Sequence, residues 1–264
     1  MAKSIQDSRV IFILPAYNEE AAIRPVVRNL HELSTKMGWR HVILVCDDGS
    51  RDGTGEALAE LQAEVPTLEV IPHKINRGLG ETARDLFERA AEIADPDDAI
   101  IRMDCDETHG SHYTTRLLIE LSHGYDVVIA SRFAPGGGQK GLNAHRMLLT
   151  QCARYFMGFF FPIPGVRDYS CGYRAYRARI VQKAIAVYGN SFIQLKGLGF
   201  TGTLEKLVKL HLIGARIGEA PFTLRYDHRQ TQSKMVSSVT TLGYMVMVIL
   251  YYWPFGGWRW RKWG

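Results

Sequence analysis

Short apolar runs alternate with amphipathic stretches through the first half of the chain. Val10–Leu14 and Val42–Cys46 are runs of strand length rich in β-branched residues, and Ala99–Met103 and Asp126–Ser131 follow the same pattern. Such runs suit strands buried on both faces. Between them, apolar positions recur at helical spacing over Glu19–Lys36, Gly53–Glu64, Glu81–Ala94 and His112–His123. Strands and helices taking turns in this way predict an α/β fold, a Rossmann-like, mostly parallel sheet flanked by helices. Ligands of such sheets bind beyond the carboxyl ends of the strands. The residues of chemical interest in this chain fall there.

Beyond residue 133 the pattern changes. Ala134–Gly138 reads as a Pro/Gly loop, and Arg146–Phe161 and Phe200–Leu212 are further helix candidates. Val239–Trp253 is a run of roughly fifteen mostly apolar residues, short of the ~20 that span a bilayer. It leads into Trp258-Arg-Trp260-Arg-Lys-Trp263, and indoles interleaved with cations suit the headgroup zone. Residues 1–235 are therefore expected to form one catalytic domain. Residues 236–264 are expected to form an apolar, amphipathic helical tail at a membrane surface, the alternative being a core helix with a frayed end.

Composition narrows the classes. At 264 residues, 46% hydrophobic and 22% charged, the chain holds enough apolar material for a large core and is not disordered. A net charge of +5 fits anionic substrates or an anionic membrane surface. No dense Lys/Arg tract interleaved with aromatics occurs in the body of the chain, which argues against nucleic acid. Cys46, Cys105, Cys152 and Cys171 are scattered without a CxxC pair, so reduced thiols in the cytosol are expected. The first apolar run is too short for a signal peptide.

Three clusters carry candidate chemistry. Asp104-Cys105-Asp106-Glu107-Thr108-His109 follows an apolar run; two carboxylates at i and i+2 can gather round one hard cation whose shell is completed by water and phosphate oxygens. Asp47-Asp48-Gly49-Ser50-Arg51-Asp52 ends another run, and its first two acids are placed to accept hydrogen bonds from a ribose or a base, whereas Asp52 suits a helix cap. Pro15-Ala-Tyr17-Asn-Glu19 ends the first run and offers an aromatic face beside a carboxylate, with Asn18 as a candidate cap.

Taken in order, these three segments resemble family 2 glycosyltransferases with the GT-A fold, and Asn76-Arg-Gly78-Leu-Gly80 is similar to the family's segment between the second acid pair and the DxD. Ala130-Ser-Arg132-Phe133, Asp168-Tyr-Ser-Cys-Gly172-Tyr-Arg174 and Arg229-Gln-Thr-Gln-Ser233-Lys234 resemble the subgroup that makes polyprenyl-phosphate sugars, typified by dolichol-phosphate mannose synthase. The resemblance runs from about residue 10 to 235. It implies that Pro15, Tyr17, Glu19, Asp47 or Asp48, Gly78, Asp104 and Cys105 hold the nucleotide-sugar. It implies a Mn²⁺ or Mg²⁺ ion at Asp104, Asp106 and Thr108, and places Asp106 and Arg132 in catalysis. Arg132, Arg146, Arg229, Ser233 and Lys234 would meet the phosphates of donor and acceptor. Departures from the pattern are Thr231 for the usual glycine, His228 at an often-basic position, Cys105 for the usual alanine, and Thr108 where the family often has Gln or Ser.

The activity implied is inverting, metal-dependent transfer of a sugar from GDP-mannose or a UDP-sugar to a polyprenyl monophosphate, at the cytoplasmic face of a membrane. One rival is a family 2 transferase with a hydroxyl acceptor, a saccharide or small molecule, which needs a general base; Glu205 is one candidate. The Gln-x-x-Arg-Trp stretch of processive synthases is absent. A second rival is a nucleotide-sugar-binding protein with degenerate chemistry.

Overall fold

The computed structural model describes residues 8–106, 108–141, 144–198, 201–226 and 237–251, without the side chains of residues 144–146, 149, 237 and 238. The elements in chain order are β1 (Val10–Ala16), α1 (Glu20–Lys36), β2 (His41–Asp47), α2 (Thr54–Glu64), β3 (Leu68–Pro72), α3 (Leu79–Ile93), β4 (Ala99–Arg102) and α4 (Tyr113–Ser122). They continue with β5 (Val127–Ser131), β6 (Gly138–Lys140), α5 (Ala144–Phe160), β7 (Arg174–Arg177) and α6 (Ala178–Tyr188), and then a 3-10 turn at Gly189–Ile193. Last come α7 (Thr201–Leu212), β8 (Ile217–Pro221), β9 (Thr223–Arg225) and α8 (Ser237–Tyr251).

Seven strands form one sheet in the order β3-β2-β1-β4-β7-β5-β8. All run parallel except β7, which lies antiparallel between β4 and β5. β6 and β9 pair as a separate parallel ribbon. The four apolar runs of the sequence are β1, β2, β4 and β5, and their central residues are fully buried. A strand with helices on both faces has no solvent side, so its pattern is continuous rather than alternating.

β3 and β7 escape that signal for different physical reasons. β3 is an edge strand whose residues are mostly half-buried. β7 reads Arg-Ala-Tyr-Arg, yet all four residues are buried. Arg174 stands there because three backbone carbonyls, of Cys171, Thr203 and Tyr169, accept from its guanidinium at 2.7–2.8 Å. A buried cation tied in this way is tolerated where an unpartnered one would not be.

Candidate active site

The carboxyl ends of β1, β2 and β4 meet at one edge of the sheet. Ala16 pairs with Asp47 in register, and Met103 N–H donates to the Ile13 carbonyl at 3.3 Å. The loops leaving β1 and β2 are laced together. Asn18 adopts φ +50, its N–H donates to Ser50 Oγ at 2.9 Å, and its side-chain oxygen accepts from Arg51 N–H at 2.8 Å. Asn18 thus joins two loops and does not cap α1, whose first residue is Glu20. Asp52 stands one position before the N-cap of α2 and still serves the helix, accepting from Thr54 N–H at 3.0 Å and also from Glu20 N–H at 3.3 Å. The buried Glu19 is held by its own N–H, which donates to Thr54 Oγ1 at 2.8 Å.

The two acids after β2 separate in role. Asp48 is buried and turned toward the loop that precedes α3. Its carboxylate accepts from Arg77 N–H and Gly78 N–H, each at 2.8 Å, and lies 2.7 Å from His73 Nδ1. On its other side the His73 ring meets Asp85 at 3.0 Å. Asp48 therefore positions the 73–78 loop and Gly78 rather than facing a ligand. Asp47 remains half-buried at the strand end, its Oδ1 accepting from Ser50 N–H at 3.1 Å. Directly after them Gly49 sits at φ +67 with a Cβ position 2.5 Å from the Ile75 backbone, so a side chain there would push the two loops apart. Pro15 and Tyr17 are half-buried on the same rim.

The turn after β4 carries Asp104 and Asp106. Asp106 is buried, and its Oδ1 accepts from Thr108 Oγ1 at 2.6 Å and Thr108 N–H at 3.3 Å. The Cys105 side chain points inward, and burial, with Glu19 and the two aspartates nearby, holds its thiol well above the usual range. Glu19, Asp104 and Asp106 thus all lie within electrostatic reach of the buried Cys105 thiol.

Asp104 is half-buried; its N–H donates to His109 Nδ1 at 3.0 Å and its Oδ1 lies 2.7 Å from Arg102 Nη2. His109 stacks on Tyr173 with ring centroids 5.1 Å apart and meets Phe222 edge-on. Burial pushes its pKa down, against the pull of both aspartates, so the ring accepts from the backbone as a neutral imidazole. His109 docks the acidic turn onto Tyr173, which immediately precedes β7, and onto Phe222. No sequence signal beyond its place in the cluster indicated this, because the partner ring comes from residue 173.

Arg132, at the end of β5, forms a bidentate pair with the fully buried Asp168. Nε donates at 2.7 Å, Nη2 at 2.7 Å, and the Arg132 N–H at 3.0 Å; Nη2 also donates to Ser170 Oγ at 2.6 Å. Burial alone would lower the Arg132 pKa and raise that of Asp168, yet their pairing reverses both shifts. Arg132 is therefore rigid and largely neutralised, with Nη1 making no hydrogen bond among the described residues. Arg146 lies on α5 with its side chain outside the described residues; Arg229, Ser233 and Lys234 also lie outside them.

Glu205 is not placed as a base. It is fully buried on α7, and its carboxylate accepts from Gln194 N–H (3.0 Å), Leu195 N–H (2.9 Å), Lys209 Nζ (2.6 Å) and Tyr251 O–H (2.7 Å). A carboxylate with every lone-pair direction used and no path to solvent holds structure together. Its neighbour Lys206, also buried, has its pKa pushed down to about 7 by burial and by the like charges of Arg102 and Arg174.

The sequence profile of Glycosyl transferase family 2 matches residues 11–185. Polyprenol monophosphomannose synthase of Mycolicibacterium smegmatis is 32% identical over 176 residues, covering 66% of this chain and 64% of that protein. Undecaprenyl-phosphate mannosyltransferase of Micrococcus luteus is 29% identical, covering 88% and 89%. Dolichol-phosphate mannosyltransferase of Pyrococcus furiosus is 28% identical, covering 81% and 56%. The match thus spans 64% and 56% of the first and third relatives' lengths. Among solved structures, glucosyl-3-phosphoglycerate synthase from Mycobacterium tuberculosis with Mg²⁺ and UDP superposes with TM-score 0.59 at 18% identity, over 93% of this chain and 79% of that one. The same enzyme with Mn²⁺, UDP and phosphoglyceric acid gives 0.56. The mostly parallel sheet flanked by helices is thereby a GT-A-like glycosyltransferase fold.

Proposed function

The chain belongs to glycosyl transferase family 2, and on that premise we propose that it transfers mannose from a nucleotide-sugar, GDP-mannose first among candidates, to a polyprenyl monophosphate. One observation carries the acceptor assignment: three relatives are each named for a mannosyl group on a polyprenol-type phosphate. The rim of the sheet supports the donor assignment. Pro15, Tyr17, Glu19 and Asp47 line the ends of β1 and β2, where a nucleoside of an α/β sheet is expected, and Asp104 and Asp106 stand beside them to receive the diphosphate end.

A divalent cation, Mn²⁺ or Mg²⁺, fits the donor set. Asp104, Asp106 and Thr108 offer hard oxygen ligands, and no cluster of three His, Cys, Asp or Glu residues suited to a metal occurs among the described residues. Magnesium-type sites with one or two carboxylates are completed by water and phosphate oxygens. When bound, the ion supplies charge neutralisation to the departing diphosphate. Thr108 keeps the Asp106 carboxylate in one orientation through two hydrogen bonds, which costs no reorganisation during the reaction.

The acceptor phosphate has a second pKa near ~6 by analogy with phosphorylated side chains, so it attacks as an anion and needs no base. Attack opposite the leaving group inverts the anomeric carbon. The burial of Glu205 supports this acceptor over a hydroxyl, because the base considered for a hydroxyl acceptor is engaged in four hydrogen bonds. Arg132, fixed by Asp168, would point Nη1 at a phosphate, with Arg146, Arg229, Ser233 and Lys234 as further candidates.

A membrane surface at the cytoplasmic face is proposed as the meeting place with the lipid. No described helix is long and apolar enough to cross a bilayer. α5 exposes Leu148, Tyr155 and Phe159, and α8 exposes Leu242, Met245, Ile249 and Leu250. Apolar side chains on a helix surface, with Arg154 lying over the Phe133 and Tyr155 rings, suit the headgroup boundary. In this reading residues 1–235 are the catalytic domain and 236–264 the interfacial tail.

The deciding experiment offers radiolabelled GDP-mannose and, separately, UDP-sugars with a short polyprenyl phosphate and Mn²⁺ or Mg²⁺. Organic-extractable label from GDP-mannose is expected. No such label with any donor, or label on a free saccharide instead, would overturn the proposal.

A further inference from the structure

Arg102 is a cation built into the wall of the acidic turn. It ends β4, two residues before Asp104, and lies opposite Arg174 in the register of β4 and β7. Its side chain is 7% exposed, against 29% for Asp104. Nη2 lies 2.7 Å from Asp104 Oδ1. Nη1 is buried and has no hydrogen-bond partner among the described residues. The guanidinium fits where it does because residue 172 is glycine: a Cβ there would stand 1.8 Å from Nη1. Arg174 on the neighbouring strand is tied by three carbonyls and cannot follow it, and Lys206 feels both charges.

We propose that Arg102 is the resident counter-ion of the cation site: its guanidinium holds Asp104 while no metal is bound, and so sets how tightly the metal is taken up. The inference rests on the cation reading of Asp104 and Asp106. A divalent ion and a guanidinium compete for the same carboxylate oxygen, and the like charge of Arg102 opposes the ion even after it has given way. Arg102 is poised to give way, since a single ion pair holds it and one of its nitrogens is unsatisfied in the resting position. With Arg102 present, the two aspartates offer the ion one net negative charge in place of two. A nucleoside diphosphate restores the deficit, so metal and donor bind more tightly together than apart. Arg102 is in this sense a positioning residue whose effect is read in metal binding.

The test measures Mn²⁺ binding to the full chain by the loss of the free-ion electron paramagnetic resonance signal, at pH 7.5, with and without GDP or UDP. Arg102→Met is expected to tighten Mn²⁺ binding without nucleotide at least tenfold and to reduce the enhancement that nucleotide gives. Arg102→Lys, which keeps the charge, is expected to stay within a few-fold of the wild type. Gly172→Ala fills the slot, displaces Nη1 and is expected to tighten binding with no change of charge. That variant decides the matter if Arg102→Met does not fold by circular dichroism. Mn²⁺ affinity unchanged or weakened in folded Arg102→Met, or tightened equally in Arg102→Lys, overturns the inference alone. A wild type that takes up no Mn²⁺ even with GDP and UDP overturns the cation reading and this inference with it.

Discussion

Replacing Glu205 with glutamine separates a structural carboxylate from a catalytic one. Glu205 is fully buried and takes hydrogen bonds from Gln194, Leu195, Lys209 and Tyr251. The amide keeps one acceptor oxygen and turns an NH2 group toward donors, and Lys209, itself buried, loses its counter-ion. Breaking one side of a buried ion pair costs about 3–5 kcal/mol. With an unfolding entropy of about 2.1 cal/mol/K per residue over the 264 residues, that corresponds to a fall in Tm of roughly 5–9 °C. Burial already pulls the Lys209 pKa down, against the pull of Glu205, and without the carboxylate the amine loses its proton more readily, which keeps the loss toward the lower end. The double variant Glu205→Gln, Lys209→Met removes the orphaned charge and should recover part of the loss. The assay pairs a thermal melt by circular dichroism with turnover at 25 °C per mole of folded protein. A lowered Tm with turnover within about threefold of the wild type is expected. Turnover lost by about a thousandfold at unchanged Tm would restore Glu205 as a general base, and with it a hydroxyl acceptor.

Asp106→Asn keeps an oxygen acceptor for Thr108 and should leave the far-ultraviolet spectrum and Tm unchanged while turnover falls on the order of 10²–10³; retained turnover removes Asp106 from the metal site. Lys206→Met should stabilise the protein in a pH-dependent way. The folded-state pKa of Lys206 lies at about 7, below the ordinary lysine value of 10.5. The penalty of charging it is therefore fully present below pH 7 and is relieved as the pH rises toward 10.5. The variant's gain in urea melts is expected to be on the order of 5 kcal/mol at pH 6 and to shrink by pH 9.5; a gain independent of pH would refute the assignment. Tyr155→Asp with Phe159→Asp places two charges on an exposed face of α5 and should lower cosedimentation with anionic liposomes at least tenfold. Undiminished cosedimentation would end the proposed contact of α5 with the bilayer.

The sequence alone determined the sheet's buried strands, the edge at which the acids gather, and the family. Four apolar runs flanked by helical periodicity leave few arrangements, and a run that stops at Asp47 or Asp104 says where a strand ends. Those are local preferences, and a short window of residues contains them. What the tertiary structure decided is which of these polar groups faces solvent. Asp47 and Asp48 are adjacent and chemically identical, yet Asp48 turns inward because Arg77 and Gly78 bring it two N–H donors from about thirty positions away. Glu205 reads as a free acid on a helix until residues 194, 195, 209 and 251 close over it. Arg132 reads as a free cation until Asp168 fixes its Nε and Nη2. Arg102 falls within an apolar run and shows itself only once Gly172 on the approach to β7 makes room for it. Whether a charge is available for chemistry depends on its hydrogen-bond partners and its burial, and distant segments of the chain supply both.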